Sequence, residues 1–544
     1  MFVHSSGKLK IRKLLVLNLP FLLLVFSLLI SGCKTPEEYK KEADDEVYDI
    51  ISSKWGDDIG GKYNYKVSDS ETDPNDIEIS PYQNVTGLVS LAKAVSIATA
   101  QNRRYQTQKE NLYREALDLT FVRHEFAFRW FATLDESYDN NDGDEKVSSS
   151  GDVGFRKLFD DGTTLTSSIA ADWLSFLTGD ADTSLKSVIS ATVSKPLLRG
   201  AGKDIVLEDL TQAERNVLYE IRSFNRYRKE FVIDVISNYY DVLQNLDSVD
   251  NAENNYKNLV ESYDRAKMMA DSGRLPPFQA AQTKQNMLRA EDNLTQARRR
   301  YQQSLDDFKL FLGISIESDI TLDSRELSIL IGQGIQLPDY SLEKAIEAAK
   351  LFRLDLANGA DRLIDSERKI KVAENNLLAD VSLIGSANVG SRGDTDATSY
   401  NLAGGDYSVG LKIDLPLDRK AERNAYRRTL LSYQQSKRNY EELSDSVELS
   451  VIDANRRLIE AAKRFDIQQL SLELAKARVE STDMLVRAGR AASRDLLDAQ
   501  DSLLSAQNAR TSAMVDYTIN KLQFLRDVGL LTVKPDGMWD KKEY

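Results

Sequence analysis

The chain has 544 residues, 71 basic and 85 acidic side chains, a formal charge of −14, two histidines and one cysteine. That balance argues against a nucleic-acid binder, which needs a basic face to displace counterions from phosphate. One Cys excludes a disulfide framework or a thiolate zinc site, two His exclude most histidine-based metal and catalytic clusters, and only 10 Pro suit long uninterrupted elements.

Residues 1–32 read as a secretory signal, with Lys8, Lys10, Arg12 and Lys13 ahead of an apolar stretch from Leu14 to Ile30. The stretch ends in Ile30-Ser31-Gly32-Cys33, which resembles the bacterial lipobox, whose cysteine is lipidated and becomes the new first residue. The next residue, Lys34, favours transfer to the outer membrane by resemblance to proteobacterial lipoproteins. Loss of residues 1–32 removes four basic and no acidic side chains, which takes the net charge from −14 to −18. No later apolar run approaches the roughly 18–20 residues of a transmembrane helix, so a membrane crossing has to be a β-barrel. Residues 33–87 are acidic and rich in Asp, Ser, Tyr and Gly, a lipidated tether with a short helix around 37–54.

A repeated unit follows. "SLAKAVSIA" (90–98) matches "SLEKAIEAA" (341–349), and "VSKPLLRG" (193–200) matches "IDLPLDRK" (413–420). Gly273-Arg274 matches Gly489-Arg490, Tyr301 matches Tyr517, Phe308 matches Phe524 and Gly313 matches Gly529, all at one offset. Two homologous halves, 88–318 and 341–530, are therefore expected, joined by a linker at 319–340 and followed by a tail at 531–544.

Each half reads helix, strands, long helix, helix. The first half predicts helices at 88–122 and 276–312, stacked end to end along a long helix at 203–271. The second long helix, 417–487, carries a heptad seam from Tyr426 to Val486 through Val447, Leu458, Phe465 and Leu472. Between helices the period changes to two, within 124–195 and 381–415. Phe126, Phe128, Trp130, Ala132 and Leu134 alternate with more polar neighbours, as do Tyr407, Val409, Leu411, Ile413 and Leu415. "DNNDGDEKVSSSG" and "GSRGDTDATSYNLAGGD" read as exposed loops. The insert at 153–176, with its Asp160-Asp161-Gly162-Thr163 turn, predicts a further hairpin, either outside the membrane or added to the barrel.

Four strands cannot close a barrel, which starts at about eight, so several copies are required. With the duplicated plan, "SKPLLRGAG" (194–202) and "RAGRAASRDLLDAQ" (487–500), the chain resembles the TolC-like outer membrane efflux protein family over 88–530. The resemblance implies a mainly α homotrimer with a transmembrane 12-stranded β-barrel above a long coiled-coil periplasmic tunnel. It implies an exit duct for molecules delivered by a periplasmic adaptor and an inner-membrane pump of RND, ABC or MFS type.

Within that reading Cys33 carries lipid, and Pro196 and Pro416 mark strand-to-helix junctions. Gly273, Arg274, Gly489 and Arg490 form helical tips where an adaptor would dock, since Gly permits the positive φ of a sharp helix end. Asp495 and Asp498 match acidic residues that ring the periplasmic entrance in the family. Gln279, Val486 and Ala491 stand where relatives have latch residues, so that latch is not expected. No cofactor, metal or catalytic group is expected, and His124 is expected at the edge of the first strand. The alternatives are a non-channel periplasm-spanning coiled lipoprotein and, least favoured, an enzyme, for which nucleophile motif and phosphate loop are missing. The transported substrate is not written in the sequence.

Overall fold

The computed structural model describes residues 34–56, 59–67, 86–141, 144–176, 183–337, 341–392, 397–415, 417–534 and 539–541. The signal, Cys33 and Pro416 lie outside them. The chain divides into two compact units, 1–53 and 54–544. The described part of the first, residues 34–53, is nearly all in α1 (Pro36–Lys54), whose Val47, Ile50 and Ile51 share one face.

The second unit holds the repeat. In the first half β1 (Gly87–Val89) leads into α2 (Leu91–Gln101) and α3 (Arg103–Glu125). Strands β2 (Arg129–Asn141), β3 (Asp144–Leu158), β4 (Thr164–Phe176) and β5 (Thr183–Pro196) come next. They are followed by α4 (Lys203–Val206), α5 (Glu208–Asp271) and α6 (Pro277–Leu312). Linker elements β6 (Ile320–Leu322) and α7 (Arg325–Gln333) precede the second half: α8 (Leu342–Phe352), α9 (Leu354–Asn375), β7 (Asp380–Gly390), β8 (Asp406–Asp414), α10 (Lys420–Arg487) and α11 (Ser493–Asp527). A hairpin of β9 (Leu531–Val533) and β10 (Trp539–Lys541) follows.

Helices α5 and α10, with 64 and 68 residues, reach about 96 and 102 Å at 1.5 Å per residue. The α10 seam is buried at Val447, Val451, Ala454, Leu458, Ala461, Phe465, Leu472 and Ala475, where α11 lies along it. Helix α5 buries Val217, Ile221, Phe224, Phe231, Val235 and Val242 against the flanking helices. End-to-end stacking occurs in both halves. Gly313, closing α6, sits against the Gln101 carbonyl at the break between α2 and α3, and Asn102 donates to the Phe311 carbonyl at 2.6 Å. Gly529, closing α11, abuts Phe352 at the break between α8 and α9. Ser90 and Ser341 cap the equivalent helices by accepting from Lys93 and Lys344 N–H.

The structure departs from expectation at several places. The helix expected at 88–122 is two helices, because Asn102 leaves helical geometry and caps the second through Arg104 and Tyr105 N–H. It runs on to Glu125, so His124 is helical. The linker is structured: β6 pairs in parallel with β1 and so ties the end of the first half to its beginning. The tether is packed over part of its length. Buried Arg228 on α5 donates to the carbonyls of Gly61 (2.8 Å) and Tyr63 (3.0 Å), while Trp55 lies edge-on to Phe224.

The strand count also changes. One antiparallel sheet has the order β2-β3-β4-β5-β7-β8, six strands where the twelve-strand expectation rested on four per chain. The loop expected at 139–151 is a tight hairpin whose ladder reaches Asn141 opposite Asp144. Ser148 and Ser150 fall on the polar face of β3 while Ser149 between them falls on the other, so the segment lacks a clean apolar alternation and resembles a loop.

Candidate functional site

Three features of the second unit bear on function: the faces of its sheet, its open edges, and its helical tips.

Side-chain alternation holds in register across the sheet. Trp130, Phe155, Ser167, Ala191, Ala387 and Tyr407 form one row, and Ala132, Val153, Ile169, Ile189 and Val389 form the next on the same face. The other face carries the row Arg129, Arg156, Thr166, Thr192, Ser386 and Ser408, and the row Asp135, Ser150, Asp172 and Lys186. Trp130, Val153, Ile169, Val409 and Leu411 are exposed. A water-facing and an apolar face of this extent suit a wall between water and lipid. Among the described residues no helix is long and apolar enough to cross a membrane.

Both sheet edges are open: β2 and β8 are each paired on one side only among the described residues. The helices repeat this arrangement. On α10, Leu449, Ile467, Leu470, Leu474 and Leu485 are exposed and spaced to share one face, opposite the buried seam. On α6, Phe278, Leu288 and Leu310 lie opposite the buried Ala290, Leu294, Phe308 and Leu312. Helix α3 exposes Leu117 and Phe121 opposite Tyr105, Leu112, Ala116 and Leu119. The edge helices thus each carry two apolar faces, and one chain buries only one of them.

At the tips, Gly273 (φ 70°) and Gly489 (φ 69°) end α5 and α10 in the same way. Gly273 N–H bonds to Ala270 O and Arg274 N–H to Met269 O; Gly489 and Arg490 do likewise to Val486 and Leu485. These paired bonds satisfy the last carbonyls of each helix. A Cβ at either glycine would meet open space, and Arg274 and Arg490 are exposed. Pro276-Pro277 opens α6, a position that needs no N–H.

Asp495 and Asp498 stand exposed on the first turns of α11. The Asp495 carboxylate accepts the Ala492 N–H at 3.1 Å, which caps the helix, and Asp498 lies 3.9 Å from Arg494. Sequence reasoning missed Asp501, the next acidic residue along this face. Desolvation pushes its carboxyl up, Arg289 opposes this, and Asp498 adds to it. It also missed the link between the two tips, where Asp483 on α10 lies 3.8 Å from Arg265 on α5 and 2.7 Å from Arg487. Leu497 of α11 packs with Leu259 of α5 and Ala290 of α6. Pairs so distant in sequence leave no local signal.

Pro196 ends β5, and its ring lies against Gly162 in the β3–β4 turn. That turn is tied to the junction by Asp161–Lys195 (3.0 Å) and Asp160–Lys203 (3.5 Å). Among the described residues no group of three or more His, Cys, Asp or Glu is placed to hold a metal ion.

Residues 345–526 match the family model described as "Outer membrane efflux protein". No curated protein sequence matches the chain. Among solved structures the chain is similar to CusC, a transmembrane channel former, with TM-score 0.59, 16% identity, and 86% of this chain and 99% of that one covered. It is similar to the Campylobacter jejuni CmeC outer membrane channel, with TM-score 0.59, 13% identity, and coverage of 81% and 85%. It is likewise similar to the open state of the Neisseria gonorrhoeae MtrE outer membrane channel, with TM-score 0.58, 17% identity, and coverage of 81% and 88%. The second half of the chain thus carries the outer membrane efflux protein signature, and the chain has the fold of outer membrane channels.

Proposed function

We propose that this chain is one subunit of a homotrimeric outer membrane channel-tunnel, a passive exit duct for substrates delivered by an inner-membrane pump and a periplasmic adaptor in efflux or type I secretion. The observation that carries the reading is the pair of unfinished edges. Open strands β2 and β8, and second apolar faces on α3, α6 and α10, mark opposite sides of one subunit. Such different, complementary edges join copies head to tail and close into a ring. Strands of nine to fifteen residues with one apolar face suit a membrane wall. A coiled spacer that never enters a membrane has no use for such a sheet. Lipid on Cys33 would add an anchor in the same membrane.

In a trimer, Asp495 and Asp498 of each copy approach one axis and form an acidic entrance, with adaptor docking at Gly273, Arg274, Gly489 and Arg490. Planar-bilayer recording of the full chain tests the duct. Cation-preferring conductance is expected, with block by multivalent cations from the tip side that weakens in Asp495→Asn/Asp498→Asn. A chain that inserts no pore and forms no detergent-stable trimer would support the spacer reading instead. Unchanged reversal potential and block in the double variant would reduce these aspartates to a solvated helix face. Metabolic labelling with a palmitate analogue should mark wild type and not Cys33→Ala.

A further inference from the structure

We propose that the β3–β4 hairpin is a membrane-spanning part of the barrel wall, with its apolar face on lipid acyl chains, so that each copy contributes six strands and three copies enclose the pore with eighteen. This rests on the channel reading and asks a separate question of it, since a hairpin can also fold outside a bilayer as a flap.

Three observations place it in the wall. First, the hairpin is inserted in the middle of the sheet: β3 and β4 stand between β2 and β5 with uninterrupted ladders on both sides. Removing them from the bilayer would take β2 with them and leave the wall with an unpaired edge in lipid, where unsatisfied backbone groups cost several kcal/mol each. Second, the alternation passes through the hairpin without a change of phase. Val153 and Ile169 fill the apolar row between Ala132 and Ile189, while Asp152, Arg156 and Asp172 fall on the polar face with Arg129 and Lys186. A flap wet on both sides has no need of that order. Third, β3 and β4 have 15 and 13 residues, more than the roughly 9–11 of a spanning strand, and their turn is held at the strand-to-helix junction by Lys195 and Lys203.

The consequence is a wider outer duct. Barrel diameter grows roughly linearly with strand number, so eighteen strands give about one and a half times the width of twelve, in the range where an aqueous channel stays open. The helical part still has four columns per copy. The barrel would then exceed the tunnel in width, and large solutes would meet their limiting constriction in the helices.

The test uses single cysteines in the full chain with Cys33→Ser, reconstituted in phosphatidylcholine–phosphatidylglycerol vesicles and labelled with a small fluorophore. Leu383→Cys and Ser386→Cys on β7 serve as lipid-facing and pore-facing references. The expected result is that a nitroxide-bearing lipid quenches Val153→Cys as strongly as Leu383→Cys, while Asp152→Cys reacts with a membrane-impermeant maleimide as Ser386→Cys does. Reaction of both hairpin positions with the aqueous reagent, with Leu383→Cys still quenched, would overturn the proposal and leave the channel standing. An unquenched Leu383→Cys would overturn the channel reading as well. Partition of polyethylene glycols from the extracellular side gives a second measurement, in which a mouth no wider than a twelve-strand barrel would also overturn it.

Discussion

Gly273 and Gly313 share a left-handed backbone and differ in their surroundings. At Gly273 an added methyl meets open space, while at Gly313 it would lie 2.4 Å from the Gln101 carbonyl. Gly273→Ala should therefore cost only the left-handed strain, about 1–2 kcal/mol. Gly313→Ala should cost clearly more, since it also pushes α6 off the break between α2 and α3; urea unfolding of the detergent-solubilised protein measures both. Asp365 on α9 gives a second test. Its side chain is 5% exposed and accepts from Tyr219 (2.5 Å), Arg368 (2.7 Å), Gln212 (3.2 Å) and Arg215. Burial pushes its carboxyl up, but these bonds outweigh burial and hold it below the usual carboxylate range. A carboxylate depressed in the folded state stabilises the fold above its unfolded value of about 3.9, and that contribution fades as pH falls through the folded value. Thermal stability should thus drop in acid below about pH 4. Asp365→Asn should be less stable at neutral pH by about 3–5 kcal/mol, with a flatter acid limb.

At the scale of elements, α10 separates two kinds of apolar residue. Leu458 is buried against α11, so Leu458→Ala should lower the stability of the chain by about 2–5 kcal/mol. Ile467, 64% exposed on the opposite face, should cost the isolated chain no more than about 0.5 kcal/mol as Ile467→Ala. Its effect should instead appear in assembly, as a shift of the trimer band to lower denaturant on semi-native gels. Equal loss of chain stability in the two variants would contradict the division into an inner seam and an outer interface. The seam is uneven along its length. Its first positions, Tyr426, Leu430, Tyr433 and Tyr440, are only half-buried, because there the neighbour is α9, while the fully buried part begins at Val447.

For the whole molecule, the two unfinished sides are the main statement. A charge on one side should block closure without unfolding the subunit. Leu470→Asp/Leu474→Asp is expected to keep the far-ultraviolet circular dichroism of wild type and to elute as a monomer in light-scattering chromatography. A trimer of normal stability would mean that this face of α10 meets solvent or the adaptor. The network between halves should survive in such a monomer, since Arg215, Arg222 and Arg368 bind Asp361, Asp365 and Glu208 within one chain.

The sequence by itself determined the duplication, the two long helices, the seam and the glycine tips. All of these are local or periodic: a heptad repeats every two turns, and a glycine ends a helix through bonds that span five residues. It left the strands of the insert undecided because Ser, Gly and Asp alternate weakly there, and half of what makes β3 a strand is the register of β2 and β4 beside it. Tertiary structure alone decided that the sheet has six strands and that Gly313 and Gly529 close on helix breaks. It also decided that Arg228 holds the segment after α1 and that Asp483 joins the tips through Arg265. The hairpins of the sheet are local, but its junction of β5 with β7, the glycine closures, the Arg228 bonds and the Asp483–Arg265 pair all join groups more than 160 positions apart, and no periodicity along the chain encodes which distant partner a side chain will meet.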